Sequence, residues 1–282
     1  MISPFSATAS TTDDRLTAAW LIRRAATTLS HNNKKKISEI GLEQGAARRL
    51  NRSNLPVVRI QEASSNAAIA QFINFKSMPR LYIISGCNGA GKTTASYSLL
   101  PEMLDCREFV NSDEFAKGLS PFDPSKASIQ ASRYMIMKIR YLLKKQKDFA
   151  VETTLATRTL MNTVKMAQKA GYTVTLLYFW LNSPELAIER VRARVEAGGH
   201  NIPEETIRRR YSVGVYYFFN SYAPICERWI LADNSQIPFR VIAEGSKTDI
   251  VNIRDEETYA KVKAISDERQ RHVEETGDIL SL

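Results

Sequence analysis

LYIISGCNGAGKTT, residues 81–94, reads as a buried strand running into a glycine loop and then into a helix. LYIIS is short and wholly apolar, as strands are when both faces of a parallel sheet are covered. GCNGAGKT (86–93) fits G-x-x-x-x-G-K-S/T at every fixed position, in the strand–loop–helix setting that gives the pattern its meaning. Gly86, Gly89 and Gly91 permit backbone conformations and close approaches that a Cβ forbids. Together with Cys87, Asn88 and Ala90 they turn amides inward, an anion nest reinforced by the helix N-terminus. Lys92 is placed to reach the outer phosphates, Thr93 to put its hydroxyl on Mg²⁺, and Thr94 lies beside them. The segment therefore predicts an ATP-binding loop that works with Mg²⁺.

The same texture continues C-terminally. EFVNS (108–112) reads as a second strand, and a helix is expected from about Asp123, with Asp123 as N-cap and Pro124 in the first turn. FAVET (149–153) is a third strand, 157–170 a helix closed by Gly171, and YTVTLLYFWL (172–181) a fourth strand. Ser183 and Pro184 open a helix over 183–197. GGHNIP (198–203) breaks it, and 203–220 resumes helix, with Tyr216, Tyr217, Phe218 and Phe219 assigned to the core. RWILAD (228–233) and FRVIAE (239–244) supply the last strands, and the polar stretch after Asp249 is helix-prone. Alternating strands and helices predict an α/β fold of the P-loop NTPase kind, a mainly parallel sheet flanked by helices. Ligands in such sheets bind beyond the carboxyl ends of the strands.

N-terminal to this unit the pattern is different. Residues 1–13 have a disordered composition, 14–29 and 37–50 read as helices, and 56–60 as a short extended piece. The expected organisation is an N-terminal extension (1–75), a P-loop domain (76–248) and a polar, helical tail (249–282). The chain has 282 residues, 44% hydrophobic and 24% charged, an ordinary globular composition. Its net charge of +9 favours anionic partners or serves solubility. The three cysteines lie far apart, which excludes a disulfide framework and a Cys/His metal cluster. The longest apolar run falls well short of the roughly 20 residues of a membrane span, and the N-terminus lacks a secretory pattern. A cytoplasmic protein with no membrane and no nucleic-acid partner is the expectation.

Switch and motor proteins with this loop carry an apolar strand ending in Asp for the metal; the fourth strand here ends WLNS, and no NKxD occurs. The absence favours a small-molecule kinase. Asp113 follows the second strand, either as the base that accepts a hydroxyl proton or as a helix cap. Glu152, with Thr153 after it, binds a substrate hydroxyl or a metal-bound water, or is a structural strand-end group. Asn111 contacts substrate or shapes its loop. Six arginines, Arg190, Arg192, Arg194, Arg208, Arg209 and Arg210, flank the 198–203 break. They read as a phosphate-clamping lid or as a solvated helix face, since guanidinium groups bind phosphate oxygens in bidentate fashion. Arg190 and Arg194 share a face, and Arg192 points away from it. His200 is a lid or substrate contact.

GCNGAGKTT (86–94), FVNSDEFAKGLSPFDP (109–124), FAVETTLATRT (149–159), WLNSPELAIERVRARVEAGGHNIPEETIRRRY (180–211) and DNS (233–235) together resemble the zeta toxin family of P-loop kinases, over about 160 residues. The resemblance implies an ATP-dependent phosphotransferase with an alcohol acceptor, a nucleotide-sugar such as UDP-N-acetylglucosamine, and an antitoxin protein as partner. It implies that Asp113 is the base, that Lys92, Arg194 and Arg209 act on the transferring group, and that Arg190 and Arg210 come next. The rival reading is an ATP-binding switch without turnover.

Overall fold

The computed structural model describes residues 78–199, 201–247 and 249–279. The elements expected at 14–29, 37–50 and 56–60, and His200, lie outside them. Strand β1 (Arg80–Ser85) runs into the glycine loop, and α1 (Lys92–Ser98) begins at its lysine. A π-helical turn (Leu99–Met103) leads to β2 (Phe109–Val110). The strand expected over 108–112 stops there because the Asn111 side chain caps a helix, α2 (Ser112–Leu119), which the sequence reading lacks. The helix expected from Asp123 also starts later. Lys126 N–H bonds the Asp123 carbonyl three residues back, so Pro124–Ala127 is a 3-10 turn and α3 (Ser128–Lys145) follows it.

The next elements match their expected places: β3 (Phe149–Thr153), α4 (Thr159–Lys169), β4 (Thr173–Trp180) and α5 (Pro184–Glu196). Ser183 caps α5 by accepting a bond from Leu186 N–H at 3.1 Å. Helix α6 (Glu204–Tyr217) passes into a π-helical turn (Phe218–Tyr222), so the helix expected to 220 changes hydrogen-bond register at its end. Tyr216, Tyr217 and Phe218 are buried as expected, and Phe218 stacks edge-on to Trp229. Strands β5 (Arg228–Asp233) and β6 (Arg240–Ser246) follow. The polar segment read as helix after Asp249 first forms a strand, β7 (Asp249–Ile253), and then α7 (Glu256–Thr276).

The sheet order is β2-β3-β1-β4-β5-β6-β7. The first five strands are parallel, and β6 and β7 are antiparallel additions at one edge. β1 lies in the middle, and Leu81, Ile83 and Ile84 are completely buried. Burial of each such side chain stabilises by about 1.5–3 kcal/mol, which is why a wholly apolar strand takes this position. The chain leaves β1 toward β2 and β3 on one side and returns to β4 and β5 on the other. That reversal of direction opens a crevice at the carboxyl end of β1, where the glycine loop lies. On the far side α7 packs along α6; Arg269 is buried there and donates to Ser212 Oγ at 2.9 Å.

Candidate active site

The glycine loop has the backbone its composition calls for. Gly86, Gly89 and Gly91 have φ of 139°, 80° and 75°. A Cβ on Gly86 would stand 2.2 Å from the Phe179 carbonyl oxygen, and one on Gly89 2.4 Å from that of Ala187. No side chain fits there, so the loop is drawn tightly against β4 and α5 with its inner concavity left for a ligand. Asn234 secures the other side. Its Nδ2 donates to the Ala90 carbonyl at 2.7 Å, and its own N–H bonds the Trp180 carbonyl. Asn182, Asp233 and Ser235 brace it: Ser235 Oγ accepts from Asn182 N–H, and Asp233 accepts from Ser235 N–H at 2.8 Å.

Lys92 is almost fully buried, and its Nζ donates to the Cys87 carbonyl at 2.9 Å. The ammonium is thus held across the mouth of the loop, 3.9 Å from Glu152 Oε1. Thr93 Oγ1 donates to Glu152 Oε2 at 2.8 Å. Glu152 is the acid at the end of an apolar strand, and β3 is the strand beside β1. Burial pushes its carboxyl above the usual carboxylate range; Lys92 and Thr93 pull it back, and the charges of Asp113 and Glu114 raise it further. Lys92, Thr93 and Glu152 therefore form one electrostatic unit on the loop.

Asn111 is buried, and it joins that unit to the next helix. Nδ2 donates to Glu152 Oε2 at 2.9 Å, while Oδ1 accepts from Asp113 N–H at 2.8 Å and from Glu114 N–H at 3.4 Å. The cap of α2 is thus Asn111 and not Asp113. Asp113 sits in the first turn of α2 with an exposed carboxylate, near enough for its charge to act on Glu152 and on Arg210. Thr153 Oγ1 accepts from Leu155 N–H at 3.0 Å and so shapes the chain after β3.

The arginines divide. Arg210, on α6, reaches across to the loop, where its Nη1 donates to Asn88 Oδ1 at 2.9 Å. Burial lowers its guanidinium from the usual range, Arg209 lowers it further, and Asp113 partly restores it. Arg209 is half-buried beside it. Arg190 donates to the carbonyls of Asn234 and Ser235, both at 2.9 Å, and so fastens the loop after β5 to α5. Arg194 is exposed near the end of α5, and its carbonyl accepts from Gly199 N–H at 2.8 Å. Arg192 pairs with Glu204, and Arg208 with Glu185, on the surface.

Lys92, Thr93, Asn111, Asp113, Glu152 and Arg210 thus meet at the carboxyl edge of the sheet, with Thr94 exposed in the first turn of α1. The sequence reading did not see that Glu152 meets the loop threonine, because that depends on β3 lying next to β1. It did not see the anchoring of the loop by Asn234, for which DNS (233–235) was the only local sign. The residues present fit ATP with Mg²⁺. The three loop glycines hold positive φ, and a hydroxyl and a carboxylate, both hard oxygen donors, meet beside a buried ammonium.

Comparison with known proteins agrees with this geometry. An uncharacterized protein of Haemophilus influenzae is 34% identical over 127 residues, which are 45% of this chain and 88% of that protein. The crystal structure of AvrRxo1-ORF1:AvrRxo1-ORF2 with sulphate ions superposes with a TM-score of 0.53 at 15% identity, over 71% of this chain and 68% of that one. The same pair with ATP gives 0.52 at 16% identity over the same shares. At such identities the likeness is one of fold. The family model for zeta toxins matches residues 66–215, more than half of the chain. The chain therefore belongs to the zeta toxin family of P-loop kinases.

Proposed function

We propose that this protein transfers the γ-phosphate of ATP to a hydroxyl of a small metabolite, and that the acceptor is a nucleotide-sugar of the UDP-N-acetylglucosamine class. The observation that carries the reading is the meeting of two halves. A phosphate loop with its lysine, threonine and carboxylate lies beside a second helix whose first turn carries Asp113. An ATP-binding switch has no need of a carboxylate on the acceptor side.

Lys92 exchanges the Cys87 carbonyl for the outer phosphate oxygens, and the loop amides hold the rest of the chain of phosphates. The Thr93 hydroxyl and the Glu152 carboxylate are the groups that would hold Mg²⁺, and the ion would supply neutralisation of phosphate charge. Asp113 accepts the acceptor's hydroxyl proton as its oxygen bonds to the γ-phosphorus and the bridging bond to ADP breaks. Arg210, with Arg194 and Arg209 from the two sides of the 198–203 break, meets charge developing on the phosphoryl oxygens. Asn111 and Arg190 act on neighbouring protein groups, and His200 is proposed as a lid or substrate contact.

The chain's place in a toxin family supports an antitoxin protein as partner; among the described residues no helix is long and apolar enough to cross a membrane. The test is incubation with isotopically labelled ATP and a panel of nucleotide-sugars, followed by mass spectrometry of each acceptor. Labelled phosphate on a sugar hydroxyl supports the reading. ATP binding with no labelled product from any acceptor returns the protein to the switch class.

A further inference from the structure

Asn111 occupies a position where one side chain does two jobs with its two ends. Its carbonyl oxygen takes the N–H groups of Asp113 and Glu114, two of the donors that a helix start leaves without an internal partner. Its amide nitrogen gives a hydrogen to the Glu152 oxygen that also receives the Thr93 hydroxyl. The orientation of the amide is dictated by these neighbours, since two backbone donors face one end and a carboxylate the other. α2 is held against α3 and through buried Ala116, but β2 pairs with β3 only through Phe109↔Ala150 and Val110↔Val151, so the Asn111 side chain is what links the start of the helix to the phosphate site.

We infer that Asn111 is a positioning residue that sets the distance between the phosphate loop and Asp113, by joining the carboxylate under Thr93 to the helix that carries the acceptor-side aspartate. This rests on the kinase reading above. Residue chemistry explains the choice of amide. Ser or Thr would cap the helix but fall short of Glu152. Asp would keep the cap and set a second carboxylate against Glu152 in place of a donor. Asparagine alone among the favoured cap residues offers an acceptor and a donor at opposite ends.

The test compares Asn111→Ala and Asn111→Asp by amide hydrogen exchange at Asp113 and Glu114, by ATP Kd, and by kcat and KM for the acceptor. In Asn111→Ala exchange at both amides should accelerate and kcat should fall about 10–100-fold, the scale of a misplacement near 1 Å, with ATP Kd changed less than about threefold. In Asn111→Asp exchange should stay near that of the parent protein, because the cap survives, yet kcat should remain as low as in the alanine variant. Recovery of kcat in Asn111→Asp to within about threefold of the parent makes Asn111 a plain cap and overturns the inference. A raised acceptor KM with unchanged kcat makes it a substrate contact and also overturns it. Should the alanine variant not fold, the aspartate variant alone decides by the same kcat criterion. A parent protein that phosphorylates no acceptor refutes the kinase reading instead. In that event unchanged exchange at the two amides in Asn111→Ala, or, where that variant does not fold, accelerated exchange in Asn111→Asp, overturns the bridge, and the expected pattern sustains it.

Discussion

Removal of the Arg210 guanidinium separates two roles that one hydrogen bond leaves joined. Arg210 docks on Asn88 of the loop at 2.9 Å, so the bond holds α6 against the loop even before any phosphate is bound. A hydrogen bond to a charged group stabilises by about 1.5–3 kcal/mol, and partial exposure reduces this to about 1–2 kcal/mol. In a domain of this size that is a Tm loss of about 2–8 °C. If the guanidinium also meets the transferring phosphoryl group, Arg210→Ala should lower kcat by about 10²–10³, the cost of one lost transition-state donor. Asn88→Ala breaks the same docking bond but leaves the charge in place. It should reproduce the Tm loss and cost less than about tenfold in kcat. Thermal melting and steady-state kinetics on both variants and the double mutant provide the measurement. Equal kcat losses in the two single mutants, with no further loss in the double, would show that Arg210 acts only by holding Asn88.

Other outcomes follow from neighbouring residues. Asp113→Asn should leave ATP affinity nearly intact and lower kcat by about 10²–10⁴, read by comparing ATP titration with turnover. Lys92→Ala should abolish transfer while circular dichroism and melting show an intact fold, since the lysine's resting contacts are one hydrogen bond to the Cys87 carbonyl and a long pairing with Glu152 at 3.9 Å. Arg192→Ala, which breaks only a surface pair with Glu204, should change neither kcat nor Tm measurably. Glu152→Gln should inactivate the protein and yet raise its Tm at pH 7. Burial raises the folded-state pKa of Glu152, so the ionised carboxylate detracts from stability once the pH exceeds its unfolded value. The Tm advantage of the glutamine should shrink as the pH falls from the raised folded-state pKa toward the ordinary glutamate pKa, about 4.3, and be gone below it, and melting curves from pH 8 to pH 4 would reveal a wrong sign at once.

What could be read from the sequence was what short segments determine by themselves. The loop at 86–93 requires glycine at given places, and Gly86, Gly89 and Gly91 take the conformations that glycine serves. Ser183 and Pro184 announce a helix start, and the run from Val174 to Trp180 is apolar enough to be central. What could not be read depends on which strands are neighbours. Glu152 becomes part of the phosphate site only because β3 lies beside β1. The same holds for the arginines. Helical spacing sorts Arg190 and Arg194 onto one face, but only the docking of α6 against the loop brings Arg210 to Asn88 and fastens Arg190 to the loop after β5. The segment after Asp249 misled because DIVNI is short and flanked by charges, while its pairing with β6 is a contact along the sheet edge that composition does not show. The possible cap was read at Asp113 and not at Asn111, because FVN also reads as strand and the local pattern does not show where the helix begins.

The central claim is phosphoryl transfer to an acceptor hydroxyl, with Asp113 taking the proton. Its most direct measurement follows γ-labelled ATP in the presence of Mg²⁺ and UDP-N-acetylglucosamine, with the parent protein and Asp113→Asn side by side. The account predicts label on a sugar hydroxyl in the parent reaction and a rate lower by at least about 10² in the variant. Label appearing only as inorganic phosphate, at equal rates in both proteins, would contradict it.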